Sequence, residues 1–248
     1  METKLSVEIL PQPDNTTCGP TCLHSIYAYH DDTIELEQVV AEVRQLEQGG
    51  TLAVYLACHA LRRGYDATIY TYNLQMFDPT WFDSQPVDIG ARLQAQAIAN
   101  PAPTLQLATA GYLEFLRLGG RLRFEDLTTS LIRKYLNRGV PILTGLSATY
   151  LHRTAREYGS ECVIDDVRGE PAGHFVVLCG YEKEARRVLV ADPLLPNPIS
   201  SAHLYLINID RVICSILLGI LTHDANLLII EPRRRSKHGS HADATGRQ

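Results

Sequence analysis

From Pro141 onward the chain reads as short strands. Residues 142–146, 174–181, 187–191 and 227–230 are apolar, rich in β-branched side chains and bounded by turn formers. Before that point it reads mainly as helices. Helices first and strands after, without strict alternation, point to an α+β fold and away from a wound parallel sheet. The polar connector 181–187 has the length of a hairpin turn, which makes strands 174–181 and 187–191 antiparallel neighbours. Counting back from a turn centred near Glu184, Asp192 falls opposite residues 174–176.

The front of the chain supplies the helices. One is expected over residues 18–29, with Thr16 or Thr17 as its cap and Cys22, Ile26 and Tyr29 at helical spacing. Asp32 and Glu35 form a capping-box pattern ahead of a second helix that carries Ile34, Leu36, Val39, Val40, Val43 and Leu46 and breaks at Gly49-Gly50. Thr51 opens a third that ends at Gly64, and residues 65–72 follow as a strand. Pro79, Pro86, Pro101 and Pro103 punctuate two more helices, 87–100 and 105–118, before a short alternating run at 122–124. Residues 128–137 form a capped helix, and 209–218 form the last one. The polar stretch 149–170 has no clear periodicity and reads as a functional loop.

Bulk properties narrow the function classes. With 248 residues, 45% hydrophobic and 21% charged, the chain is globular and has room for a large core. A net charge of −5 leaves no footprint for nucleic acid, and the basic cluster from Arg233 to Lys237 reads as part of a solvated, disordered polar tail over 233–248. The opening residues lack the apolar core of a secretory signal, and no run reaches the roughly 18 apolar residues of a membrane span. The six cysteines form no Cys-x-x-Cys pair, which suits a reducing, cytoplasmic setting. No metal or cofactor site is expected: Cys22 reads as core, Gly49-Gly50 and Gly119-Gly120 lack the context of phosphate loops, and His30-Asp31-Asp32 and His223-Asp224 read as solvated turns.

The chemistry sits in three stretches. Cys18 lies where a loop runs into the first turn of an apolar helix, and a helix N-terminus carries positive partial charge and unpaired N–H groups that favour a thiolate over a thiol. His174 follows Gly173 at the head of one strand, and Asp192 precedes Pro193 at the end of its hairpin neighbour. Nucleophile, base and orienting acid are the parts of a cysteine hydrolase. Gln12, in the loop before Cys18, can add an amide donor to the Cys18 backbone N–H as an oxyanion hole, one such donor being worth about 10²–10³ in rate. Tyr150, His152 and Arg153 in the polar loop are candidates for lining a substrate cleft. Each residue alone has a duller reading as core filler, interior histidine or turn opener; the conjunction outweighs it.

Gln12-x5-Cys18-Gly19 with Gly173-His174-Phe-Val-Val-Leu and Asp192-Pro193 resembles the C39-type cysteine peptidases of the papain-like superfamily. The resemblance implies a papain-like fold with the N-terminal helix packed on an antiparallel β-sheet, Cys18 as nucleophile, His174 as base, Asp192 as its orienting acid and Gln12 in the oxyanion hole. Exporter-fused members trim double-glycine leaders. This chain shows no transmembrane or nucleotide-binding segment and looks more like the stand-alone cytosolic branch, some of whose members accompany ATP-grasp peptide ligases. The expected organisation is one C39-like domain over 1–232, with a helical insertion at about 78–125 and the tail beyond. The expected activity is cleavage of a peptide or isopeptide bond through a Cys thioester. An acyl or aminoacyl transferase using the same thioester, and a papain-like module that binds peptide without turnover, are the alternatives.

Overall fold

The computed structural model describes residues 3–47, 49–83, 87–159, 162–222 and 224–233. Pro86, His223 and, from residue 234 on, the expected disordered tail lie outside the described residues.

A two-residue strand, β1 (Thr3–Lys4), precedes the loop that leads to α1 (Cys18–Tyr29). Neither threonine caps this helix. The Thr17 hydroxyl turns back to Asp14, accepting from its N–H and donating to its carbonyl, so the first turn of α1 has no side-chain cap. The second helix, α2 (Leu36–Glu42), stops short of Leu46. Asp32 does not box its start. The carboxylate instead takes the Arg63 guanidinium at 2.6 and 2.7 Å and the Tyr65 hydroxyl at 3.0 Å, a two-point contact with an opposite charge that a backbone N–H cannot match. Gly49 and Gly50, both at positive φ, then turn the chain so that the Leu46 N–H meets the Gly50 carbonyl.

The next helix, α3 (Ala53–Arg62), and β2 (Tyr65–Thr71) fall where expected, although Thr51 serves as a tie to the Arg44 carbonyl and not as a cap. The proline-punctuated region forms α4 (Ile89–Ala99) and α5 (Pro103–Arg117), with Pro103 in the first turn, where its missing N–H costs nothing. A short strand, β3 (Arg121–Arg123), follows. The Thr128 hydroxyl caps α6 (Thr129–Leu136) by accepting from the Leu131 N–H, and β4 (Ile142–Ser147) comes next. The polar stretch 149–170, expected as a functional loop without regular elements, is more ordered: it holds most of α7 (Ala148–His152) and a small hairpin of β5 (Glu157–Tyr158) and β6 (Val163–Ile164). The hairpin of β7 (Gly173–Glu182) and β8 (Arg187–Ala191) follows, then β9 (Leu204–Asn208), which the sequence reading missed. The chain closes with α8 (Ile209–Leu218) and β10 (Asn226–Pro232).

These strands build one α+β sheet in the order β3-β2-β10-β4-β7-β8-β9, with β1 paired to β7. Every neighbour is antiparallel except the edge pair β2–β3. Helices cover both faces. Phe175, Val177 and Cys179 of β7 join the core shared with α1, α3 and α5, while Val176 and Leu178 join the core shared with α6 and α8. A strand buried on both faces reads as a continuous apolar run, which is why residues 174–181 stand out in the sequence. Leu93 of α4 and Tyr112 and Phe115 of α5 belong to the same core as α1, so these helices are built onto the central fold. Among the described residues no helix is long and apolar enough to cross a membrane.

Candidate active site

Two features seat α1 against the sheet at its N-terminus. The Cys22 thiol points at the Phe175 carbonyl at 3.3 Å, one helical turn beyond Cys18. Gly19 faces Thr51, Phe175 and Leu56 so closely that a Cβ there would come within 2.7 Å of the Thr51 methyl. Only a bare α-carbon lets the helix lie this deep. Cys18 is buried at the start of α1 and, with His174, lines a cleft of about 190 Å³. Thr16, Thr51, Leu52, Gly173 and Phe175 share its wall.

His174 reaches that cleft from β7, and Asp192, just past the end of β8, lies behind it. The pairing Val177↔Ala191 sets Asp192 level with Val176, within the span expected from the turn position. The carboxylate lies diagonally from His174, and Oδ1 accepts from His174 Nε2 at 2.8 Å and from the Leu194 N–H at 2.9 Å. Its Oδ2 accepts from the Tyr205 hydroxyl at 2.8 Å and meets His152 Nε2 at 3.3 Å. Four donors therefore hold a carboxylate that is 0% exposed. Burial works against its charge, but His174 and these hydrogen bonds more than offset it and hold the carboxyl well below its usual range. Burial likewise works against a charged imidazole, yet the Asp192 carboxylate and the nearby Cys18 sulfur raise His174 to about 10. With Nε2 committed to Asp192, Nδ1 is the nitrogen left for the sulfur.

Gln12 stands apart from the cleft wall. Its backbone N–H donates to the Pro193 carbonyl at 3.0 Å, which pins the loop beside Asp192. Its Nε2 donates to the Asp14 carbonyl at 2.8 Å, leaving the second amide hydrogen free for another acceptor.

The three loop candidates separate. His152 does not line a substrate cleft: it is buried behind Asp192, its ring centroid 6.0 Å from that of His174. A five-residue helix, capped by the Ser147 hydroxyl, turns it inward. Tyr150 and Arg153 line a different cavity, with Ser147, Pro171 and Leu218, on a wall that includes neither Cys18 nor His174. Two polar residues of the site went unnoticed in the sequence. Tyr205 lies on β9, where its two-residue spacing from Ile207 on one face was the signal for an interior-facing position. Asp224, read as part of a solvated turn, is buried; it accepts from the Ala53 N–H at the start of α3 and shares the wall of the Cys18 cleft. No cluster of three or more His, Cys, Asp or Glu among the described residues is placed to hold a metal ion.

Residues 102–202 match the Peptidase_C39 like family, a span that includes His174 and Asp192. No curated protein matches the chain. Among solved structures, a protein from Bacillus anthracis described as a C39-like peptidase aligns over 93% of this chain and 98% of its own, at 12% identity and a TM-score of 0.50, and shows the shared fold. A double-glycine motif protease from an AMS/PCAT transporter, solved with its leader peptide, aligns over 93% and 95% at 14% identity and a TM-score of 0.45. The peptidase domain of Streptococcus ComA, a bi-functional ABC transporter of a quorum-sensing pathway, aligns over 92% and 99% at 14% and 0.42.

Proposed function

We propose, from the match of residues 102–202 to the Peptidase_C39 like family and the fold shared with a C39-like peptidase, that this chain is a cysteine hydrolase cleaving a peptide or isopeptide amide bond through a thioester on Cys18. One observation carries the reading: His174 stands between the Cys18 sulfur and a carboxylate held by four donors, at the mouth of an uncapped helix N-terminus.

In this mechanism His174 holds the thiol proton as an imidazolium, the form its raised pKa favours, and the Cys18 sulfur attacks the amide carbon as a thiolate. The developing oxyanion meets the Cys18 backbone N–H and, once Gln12 turns from the Asp14 carbonyl, the amide of its side chain. Collapse breaks the C–N bond, and His174 returns its proton to the departing amine. A water then gives a proton to His174 and attacks the thioester, releasing the acid and restoring the thiol. Asp192 stays ionised throughout and keeps the ring in one orientation, with His152 and Tyr205 fixing the carboxylate in turn.

The test is to incubate wild-type and Cys18→Ala protein with short peptides and isopeptides and to look by mass spectrometry for an acyl adduct on the Cys18-bearing fragment. Wild type should carry the adduct and Cys18→Ala should neither carry it nor cleave. Cleavage by Cys18→Ala would overturn the proposal. Iodoacetamide should also label Cys18 faster than the exposed Cys162 and Cys214, and more slowly in His174→Ala. Equal labelling of all three thiols would favour a binding module without turnover.

A further inference from the structure

A second, larger cavity of about 510 Å³ adjoins the Cys18 cleft, and Leu52 and Asp224 belong to the walls of both. Its volume is that of a ligand site. Its wall is mixed: Leu52, Met76, Leu105, Ala108 and the ring of Tyr112 give an apolar portion, Asn73, Gln75, Asn100 and Thr104 a polar one, and Asp224 is its one acidic residue. The Asp224 carboxylate accepts from the Ala53 N–H at 3.1 and 3.2 Å and from Asn226 Nδ2 at 2.9 Å. Both donors are neutral, and among the described residues no lysine or arginine forms an ion pair with it. A buried carboxylate without a counter-charge is costly unless something brings one. Burial accordingly pushes its carboxyl up to about 7.

We propose that this cavity is a substrate subsite for an alkylammonium side chain, of the lysine or ornithine type, on a residue next to the bond that is cut, with Asp224 receiving the ammonium. The apolar portion of the wall matches a methylene stem, which long cationic side chains bury readily while their charged end finds a partner. An anionic side chain is rejected by Asp224, and a purely apolar one leaves the carboxylate desolvated and unpaired. The location of the bond relies on the hydrolase reading; the cavity's preference does not, and it is measured without turnover.

The experiment titrates Cys18→Ala protein with pentapeptides Ala-Ala-X-Ala-Ala, X being lysine, norleucine or glutamate, at pH 8 by calorimetry. Lysine should bind about tenfold or more tighter than norleucine, the gain of one charge-assisted contact, with glutamate the weakest. Adding Asp224→Asn, which keeps an oxygen for the Ala53 N–H but removes the charge, should bring lysine down to the norleucine level. Ala108→Lys, which plants a resident ammonium on the half-buried cavity wall, should erase the lysine advantage independently and covers the case in which Asp224→Asn fails to fold. Equal binding of the three peptides, no binding of any, or a lysine advantage that survives either substitution would overturn the proposal. Loss of peptidase activity in the wild type would leave this result untouched.

Discussion

Asp192 and Asp224 are both buried, the first bonded to His174 and the second on the wall of the Cys18–His174 cleft, and are driven in opposite directions. Asp192 follows β8 among donors from α7, β7, β9 and its own turn, and its charge is stabilised despite complete burial. Asp224 precedes β10 with one backbone amide and one asparagine amide, and burial dominates. Burial sets the cost of a charge; the donors decide whether the charge is kept. The first carboxylate is completed by the fold itself, and the second is left for something outside the fold to complete.

The largest effect that would break this contrast is Asp192→Asn. Amide cleavage should fall about 10²–10⁴-fold, and the titration midpoint of His174, followed by NMR, should drop from about 10 toward that of an ordinary imidazole. Turnover within tenfold of wild type would sink the role given to Asp192. His152→Ala removes one donor of four and should cost roughly tenfold in rate, with a partial fall in the same midpoint. A protein unchanged in both measurements would mean that His152 only fills space.

The pH dependence of stability separates the two acids by sign. Asp192, depressed on folding, contributes stability above its ordinary pKa of 3.8 that is lost as the pH falls below it. Asp224, raised on folding, contributes stability that is complete below 3.8 and lost as the pH rises through about 7. Urea unfolding at pH 4 and pH 7 should therefore show a loss toward neutral pH that Asp224→Asn removes. A slope unchanged in that variant would refute the account of Asp224. The smallest effect is Asp224→Ala at pH 4, which removes the partner of the Ala53 N–H and should cost about 1 kcal/mol by thermal melting.

The hairpin carrying His174 and Asp192 was legible because its pairing is local, and a turn of known length fixes the register by counting. The extent of α1 was legible for the same reason, since its spacing and its end signals lie within it. What escaped depends on partners far along the chain. Asp32 looks like half of a capping box until Arg63 and Tyr65 are brought beside it, and His152 looks exposed until Asp192 lies behind it. Asp224 binds an amide 171 residues earlier in the chain, which no local pattern records. Tyr205 hid in a five-residue strand whose polar flanks read as loop.

The placement of β10 has a consequence for synthesis. This strand is made after the others, yet it lies between β2 and β4 and joins the two halves of the sheet. A chain stopped before residue 226 therefore leaves β2 and β4 without the neighbour they share, and the β2–β3 edge has no sheet to join until the last strand is made.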